Sequence, residues 1–123
     1  DFSLSASHAF SSAMELPKGL IKTLYLMHVI DPGLTGEKLR KMEEGAEFHL
    51  RNLQAMAQQE GISASIVIRR GEPQRSILEE LDERRATGVI TGTRGRNAIQ
   101  EALMGSVSMT LLRQASCPVM IVP

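Results

Sequence analysis

The chain has 123 residues, of which 42% are apolar, and its 14 basic side chains balance 14 acidic ones. This length and apolar fraction fit one globular domain, and no apolar run is long enough to span a membrane. A net charge of zero and few aromatic residues argue against a nucleic-acid-binding surface. The single cysteine, Cys117, excludes an internal disulfide and fits a reducing compartment, so we expect a cytoplasmic protein.

Apolar periodicity predicts helices and strands that alternate along the chain. Ala6, Ala9 and Phe10 recur at helical spacing, which predicts a helix over residues 5–16. Residues 23–30 form a nearly unbroken apolar run, typical of a strand buried on both faces of a parallel sheet. The remaining pattern predicts, in order, a long helix that stops at Gly61, a strand over 63–69, a helix that starts near Pro73 and buries Ile77, Leu78 and Leu81, a strand over 89–91, a helix over 106–113 and a strand over 117–122. Such alternation implies a parallel sheet covered by helices on both faces.

The segment from Gly92 to Ser106 carries the strongest chemical signal. It begins at the carboxyl end of a predicted strand, and open α/β sheets bind their ligands at the carboxyl ends of their strands. Gly92 and Gly95 let the chain turn sharply and approach a ligand, while Gly105 and Ser106 would place free backbone N–H groups and a hydroxyl at a helix N-terminus, which favours phosphate. Arg94 and Arg96 would add positive charge nearby. The spacing alone leaves another interpretation open, in which the glycines are turn residues and Ser106 is an ordinary N-cap.

The glycine spacing resembles the motif Gly-x2-Gly-x9-Gly-Ser/Thr of the universal stress protein family. The similarity extends in the same order over essentially the whole chain. The similar segments are Asp1-Phe2-Ser3 after the family's first strand, His28-Val29-Ile30-Asp31 at the end of its second, Arg70-Gly71-Glu72-Pro73 at a strand-to-helix turn, and Cys117-Pro118-Val119-Met120-Ile121-Val122 in its closing strand.

The resemblance implies an α/β fold with a doubly wound, parallel, five-stranded sheet in the order 3-2-1-4-5. The first strand of that sheet would precede Asp1, so we expect a single domain over residues 1–123 that is incomplete at its N-terminus. In this order, the missing strand lies between the strand that ends at Ile30 and the strand that ends at Thr91. If it were absent, these two strands would be separated by a gap of about 9–10 Å, which is twice the inter-strand spacing. Their buried backbone groups would then lack partners. We therefore expect roughly 8–12 further residues before Asp1.

The resemblance also implies an ATP site between the loops after the first and fourth strands of the family. Any Mg²⁺ would be held mainly by the phosphates of the nucleotide. By position, the implied contacts are Asp1 and Val29 on the adenine and ribose side, Thr91 and Gly92 at the nucleoside, and Gly95, Gly105, Ser106, Val107 and Ser108 around the phosphates, with Arg96 nearby.

The function implied is that of an ATP-binding regulatory module of the stress response, with at most slow or partner-dependent hydrolysis. A homodimer is expected through Val119–Val122, because four apolar residues at a sheet edge invite pairing with another chain. We expect neither a nucleic-acid nor a membrane partner. Two alternatives stay open: a stress protein that binds no nucleotide and acts through dimer or partner contacts, and an ATP-dependent ligase or flavoprotein domain of similar architecture.

The histidines and the cysteine are not predicted to be functional. His8, His28 and His49 lie on different predicted elements without metal-ligand spacing. His28, flanked by apolar residues, is expected to be a buried, hydrogen-bonded side chain. Cys117 has no pairing motif and is expected to serve in packing. The sequence therefore predicts no catalytic residue.

Overall fold

The computed structural model describes residues 4–93 and 104–123, in which helices and strands alternate as predicted. In chain order the elements are α1 (Leu4–Met14), β1 (Thr23–Ile30), α2 (Gly36–Gln59), β2 (Ser63–Arg70), α3 (Pro73–Glu83), β3 (Val89–Gly92), α4 (Ser106–Gln114) and β4 (Val119–Val122). Each predicted element is confirmed in type and order. The described residues include no helix that is both long and apolar enough to cross a membrane.

Two predicted boundaries are wrong by two residues, and proline explains both; the other predicted bounds agree to within one residue. The first helix ends at Met14 instead of residue 16, because the position before Pro17 disfavours helical backbone. The last strand begins at Val119 instead of residue 117. Pro118 has no N–H to give to a ladder, and only its carbonyl takes part, accepting from the Val89 amide at 3.0 Å.

One compact unit spans Leu16–Glu72 and contains β1, α2 and β2. The two strands pair in parallel, from Thr23 beside Ser63 to Ile30 beside Arg70, and α2 packs on both. The predicted inner face of α2 is confirmed, since all its members are buried or half-buried: Leu39, Met42, Ala46, Leu50, Leu53 and Ala57. The expected burial of β1 on both faces is confirmed only in part. Leu26, His28 and Ile30 are buried on one face, while on the other face Met27 and Val29 are half-buried and Tyr25 is exposed, where a phenol tolerates contact with water.

The second unit has the bounds Asp1–Glu15 and Pro73–Pro123. Here β3 and β4 pair in parallel, from Val89 beside Val119 to Gly92 beside Val122. Helix α1 packs on both strands, α4 packs on β4, and α3 packs on α4. The buried side chains of these helices are Ala9, Phe10 and Ala13 of α1, Ser76 and Leu81 of α3, and Ser108 and Leu111 of α4. Of the predicted inner face of α3, Leu81 is buried, while Ile77 and Leu78 are half-buried.

The four described strands form two parallel two-stranded sheets, β1–β2 and β3–β4. These pairs correspond to neighbours 3-2 and 4-5 in the expected strand order, and they confirm parallel pairing in an α/β fold. The described strands do not include the expected central strand. The complete five-stranded order, and the incomplete N-terminus inferred with it, stay predictions.

Gly61 ends α2 as predicted. Its φ of +80° lies in the left-handed region, its N–H donates to Gln58 O at 3.0 Å, and the next amide, Ile62, donates to Ala57 O at 3.1 Å. This is the Schellman arrangement, which satisfies carbonyls that the helix leaves without an amide partner.

Replacing Gly61 with alanine should lower the free energy of unfolding by about 1–2 kcal/mol, because an L-residue is strained at this φ. A Cβ there would meet open space, so the cost is conformational. Gly45, inside α2 and also facing open space, is the matched control. Gly45→Ala should raise stability by roughly 0.5–1 kcal/mol. Urea denaturation measures both changes, and equal signs for the two variants would contradict this account.

Candidate functional site

Hydrogen bonds join the end of β3 to the start of α4. The Gly105 N–H donates to Thr93 O at 2.5 Å, and the Ser108 hydroxyl donates to Gly92 O at 2.5 Å. The Thr93 N–H in turn donates to Val122 O at 3.0 Å, which extends the β3–β4 ladder past Gly92. Gly92 and Gly105, the outer glycines of the predicted motif, are therefore brought together although they are far apart in sequence.

Gly105 is the N-cap of α4, with φ −68° and ψ 162°. Any residue adopts this extended conformation, so backbone strain does not require glycine here. What glycine provides is the absence of a Cβ beside the first helical amides. The expectation that Gly105 offers a free N–H is wrong, because that N–H is bound to Thr93.

Ser106 is the first helical residue of α4, and its side chain is exposed. The interpretation of Ser106 as an N-cap is therefore wrong, and the helix has no side-chain cap hydrogen bond. The Met109 amide donates to Gly105 O at 3.1 Å. The backbone N–H groups of Ser106, Val107 and Ser108 precede this bond and lie at the positive end of the helix dipole. This end of α4 can therefore receive an anion.

Ser108 differs from Ser106 in the use of its hydroxyl. It is only 2% exposed, and its hydroxyl is engaged with the Gly92 carbonyl, so its side chain connects the helix to the strand. Its backbone N–H is the group that fits the predicted phosphate contact. The clue in the sequence was helical spacing, since Ser108 lies three residues before the buried Leu111 and shares its face of α4.

The other predicted site residues are placed as follows. Thr91 is half-buried in β3, and its hydroxyl makes a long contact of 3.4 Å to Gly92 O. Val29 is half-buried in β1, one position before the strand ends, in the other compact unit. The remaining predicted contacts lie outside the described residues: Asp1, Gly95 and Arg96.

Titratable side chains supply little chemistry in the part of the chain that the structure describes. Residues 4–93 and 104–123 hold no group of three His, Cys, Asp or Glu side chains arranged for a metal ion. His28 is 8% exposed, which confirms its predicted burial. Burial raises the pKa of the half-buried Cys117 thiol, and the Asp82 carboxylate raises it further. A thiol that stays protonated is unreactive, in keeping with the packing role predicted for Cys117.

A model of the universal stress protein family matches the chain over residues 1–123. The chain belongs to the universal stress protein family. Universal stress protein YxiE of Bacillus subtilis is 30% identical to it, over 97% of this chain and 78% of YxiE. The family resemblance drawn from the glycine spacing is confirmed.

Several solved structures share the fold of this chain. The structure of protein MJ0577 gives a TM-score of 0.87 at 23% identity, over 99% of this chain and 90% of that one. A family member from Arabidopsis thaliana with AMP bound gives 0.72 at 22% identity, over 99% and 82%. A universal stress protein from Archaeoglobus fulgidus in complex with dAMP gives 0.67 at 22% identity, over 98% and 90%. These likenesses confirm the predicted α/β fold class.

Ser108→Ala should lower the free energy of unfolding by about 1–2 kcal/mol, because the Gly92 carbonyl loses its buried donor. The matched control is Ser106→Ala, which removes an exposed hydroxyl two residues away and should change stability by less than about 0.5 kcal/mol. Urea denaturation compares the two. If both variants are equally stable, the Ser108 hydroxyl does not hold α4 to the end of β3.

Proposed function

We propose that this universal stress protein binds an adenine nucleotide, ATP in the cell, with the phosphates at the N-terminus of α4. One observation carries the proposal. The end of β3 is bound to a helix start that has a glycine cap and no side-chain cap, with three amides ahead of the first helical hydrogen bond. Such a helix start favours phosphate. The AMP and dAMP complexes of proteins with this fold support the choice of an adenine nucleotide.

In this proposal the described residues around the phosphates have separate roles. The amides of Ser106, Val107 and Ser108 donate to phosphate oxygens, and the Ser106 hydroxyl adds one more donor. Gly105 contributes space, since a side chain at the cap would project beside these donors. Ser108 holds the site to β3 through its hydroxyl.

The family resemblance supplies the rest of the proposed site. Asp1 and Val29 contact the adenine and ribose, Thr91 and Gly92 the nucleoside, and Gly95 and Arg96 the phosphates. Mg²⁺, where it accompanies ATP, is held mainly by the phosphates.

We further propose a regulatory role in the stress response, in the cytoplasm, with slow or partner-dependent hydrolysis. The names of its relatives, which describe stress proteins, support this role. The protein would then report nucleotide occupancy to a partner instead of turning over a substrate.

We propose that the protein acts as a homodimer through Val119–Val122. In its unit, β4 pairs with β3 along one edge, and no other described strand pairs with β4. The Met120 side chain is 41% exposed. A short apolar strand with an available edge pairs readily with a second copy of itself.

Gly105→Val should abolish ATP binding and leave the protein folded. Valine accepts φ −68° and ψ 162° without strain, so its branched side chain should act on the ligand and not on the helix. Isothermal titration with ATP measures binding, and urea denaturation of the same sample is the control for folding. An unchanged ATP affinity in the folded variant would contradict the proposal that the phosphates bind at this end of α4.

Met120→Lys should convert the dimer to a monomer, because a charge on the β4 edge resists strand addition. Sedimentation equilibrium measures the mass. Leu112→Lys, which places the same charge on another exposed apolar residue, is the control and should leave the dimer intact. A Met120→Lys variant that keeps the wild-type mass would exclude this interface.

A further inference from the structure

Arg70 binds the loop that joins β1 to α2. It is the last residue of β2, and its Nη2 donates to Leu34 O at 2.9 Å and to Pro32 O at 3.2 Å. A guanidinium NH₂ group has two N–H bonds, so this one nitrogen can serve both carbonyls at once. Residues 31–35 connect β1 to α2, and we call them the β1–α2 loop. The Arg70 guanidinium therefore binds two carbonyls of this loop, those of Pro32 and Leu34.

The strand register places Arg70 at this loop. Arg70 is paired with Ile30, the last residue of β1. The next amide, Gly71, donates to Ile30 O at 3.1 Å and extends the ladder beyond β2. The backbone of Arg70 is thus fixed beside the point where the β1–α2 loop begins, and its side chain needs only its own length to reach the loop carbonyls.

Two amides of the loop, those of Gly33 and Leu34, are bonded from within it. Asp31 Oδ1 accepts from the Gly33 N–H at 2.8 Å, and Asp31 O accepts from the Leu34 N–H at 3.2 Å. Pro32 has no N–H and restricts φ. Internal bonds therefore engage these amides, while Arg70 engages the carbonyls of Pro32 and Leu34.

We propose that Arg70 is a positioning residue for nucleotide recognition, which holds the β1–α2 loop in the conformation that receives the nucleoside. The inference rests on the proposed nucleotide binding. Parallel α/β sheets bind ligands outside the carboxyl ends of their strands, and this loop is the first segment beyond that end of β1. With Arg70 in place, the nucleoside meets a backbone that is already ordered, so binding does not have to order it.

The test compares Arg70→Met with the wild-type protein by two measurements. Methionine keeps much of the apolar stem but has no donor. Hydrogen exchange of the Gly33 and Leu34 amides should become about tenfold faster, which corresponds to the loss of one charge-assisted hydrogen bond. The affinities for adenosine and for ATP should each fall by about the same tenfold factor, because the change lies on the nucleoside side. Ser106→Ala, at the phosphate side, should instead weaken ATP and spare adenosine.

Two control variants separate the hydrogen bonds from charge and from general destabilisation. Lys38→Met removes a positive charge from the exposed first turn of α2 and should leave both measurements unchanged. Arg70→Lys keeps a charged donor and should restore most of the protection and of the adenosine affinity. If Arg70 served only the stability of the fold, Arg70→Met would lower the free energy of unfolding, and Arg70→Lys would not restore the affinity for adenosine.

Three other outcomes would contradict the proposed role of Arg70. If Arg70→Met exchanges faster but binds adenosine as the wild type does, Arg70 orders the loop without a role in recognition, and the proposal is wrong. Unchanged exchange at Gly33 and Leu34 would refute the positioning itself. If the wild-type protein binds neither adenosine nor ATP, the proposed function fails and the inference fails with it, which a wild-type titration shows before any variant is made.

Discussion

Two hydrogen bonds close the base of the loop between β3 and α4, and the geometry of the proposed phosphate site depends on them. One joins Gly105 to Thr93, and the other joins the Ser108 hydroxyl to Gly92. Each is worth only about 0.5–1.5 kcal/mol net. Together they fix where α4 begins relative to the strand. A helix start that moved freely would present its amides in no fixed direction, and preorganised donors are what make an anion site effective.

In both compact units, one backbone hydrogen bond extends the parallel ladder beyond the end of a strand. In one, the Thr93 amide donates to Val122 O, and in the other the Gly71 amide donates to Ile30 O. In each case the parallel ladder continues one residue beyond a strand, so the first residue of the following segment is held by the neighbouring strand. Order in the first residue of each loop then comes from the sheet, so the proposed nucleotide would not have to order that residue when it binds. Arg70 lies next to the extension at Gly71 and binds the neighbouring β1–α2 loop, and Gly105 binds Thr93, the residue that forms the other extension.

The features that the sequence predicted well depend on local chemistry. The inner face of α2 follows from helical periodicity, and Gly61 ends the helix because only glycine is unstrained at its φ. Parallel pairing follows from alternating helices and strands. The glycine spacing located the helix start, placed the end of β3 to within one residue, and indicated the family correctly.

The features that the sequence did not predict depend on contacts between distant residues. The cap of α4 is Gly105 and not Ser106, because the Gly105 amide is drawn to Thr93. The inward orientation of the Ser108 hydroxyl requires Gly92 to lie beside it. The hydrogen bonds of Arg70 to the β1–α2 loop follow from a strand register that pairs it with Ile30, and no local pattern encodes that register.

The central claim is that nucleotide phosphates lie against the first turn of α4. Two-dimensional ¹H–¹⁵N correlation spectra, recorded during titration with ATP and separately with adenosine, test it at individual amides. The account predicts that the amide signals of Ser106, Val107 and Ser108 shift with ATP and stay nearly still with adenosine, since only the triphosphate reaches those N–H groups. Saturable ATP binding that leaves these three signals in place, or a titration in which ATP does not bind, would contradict it.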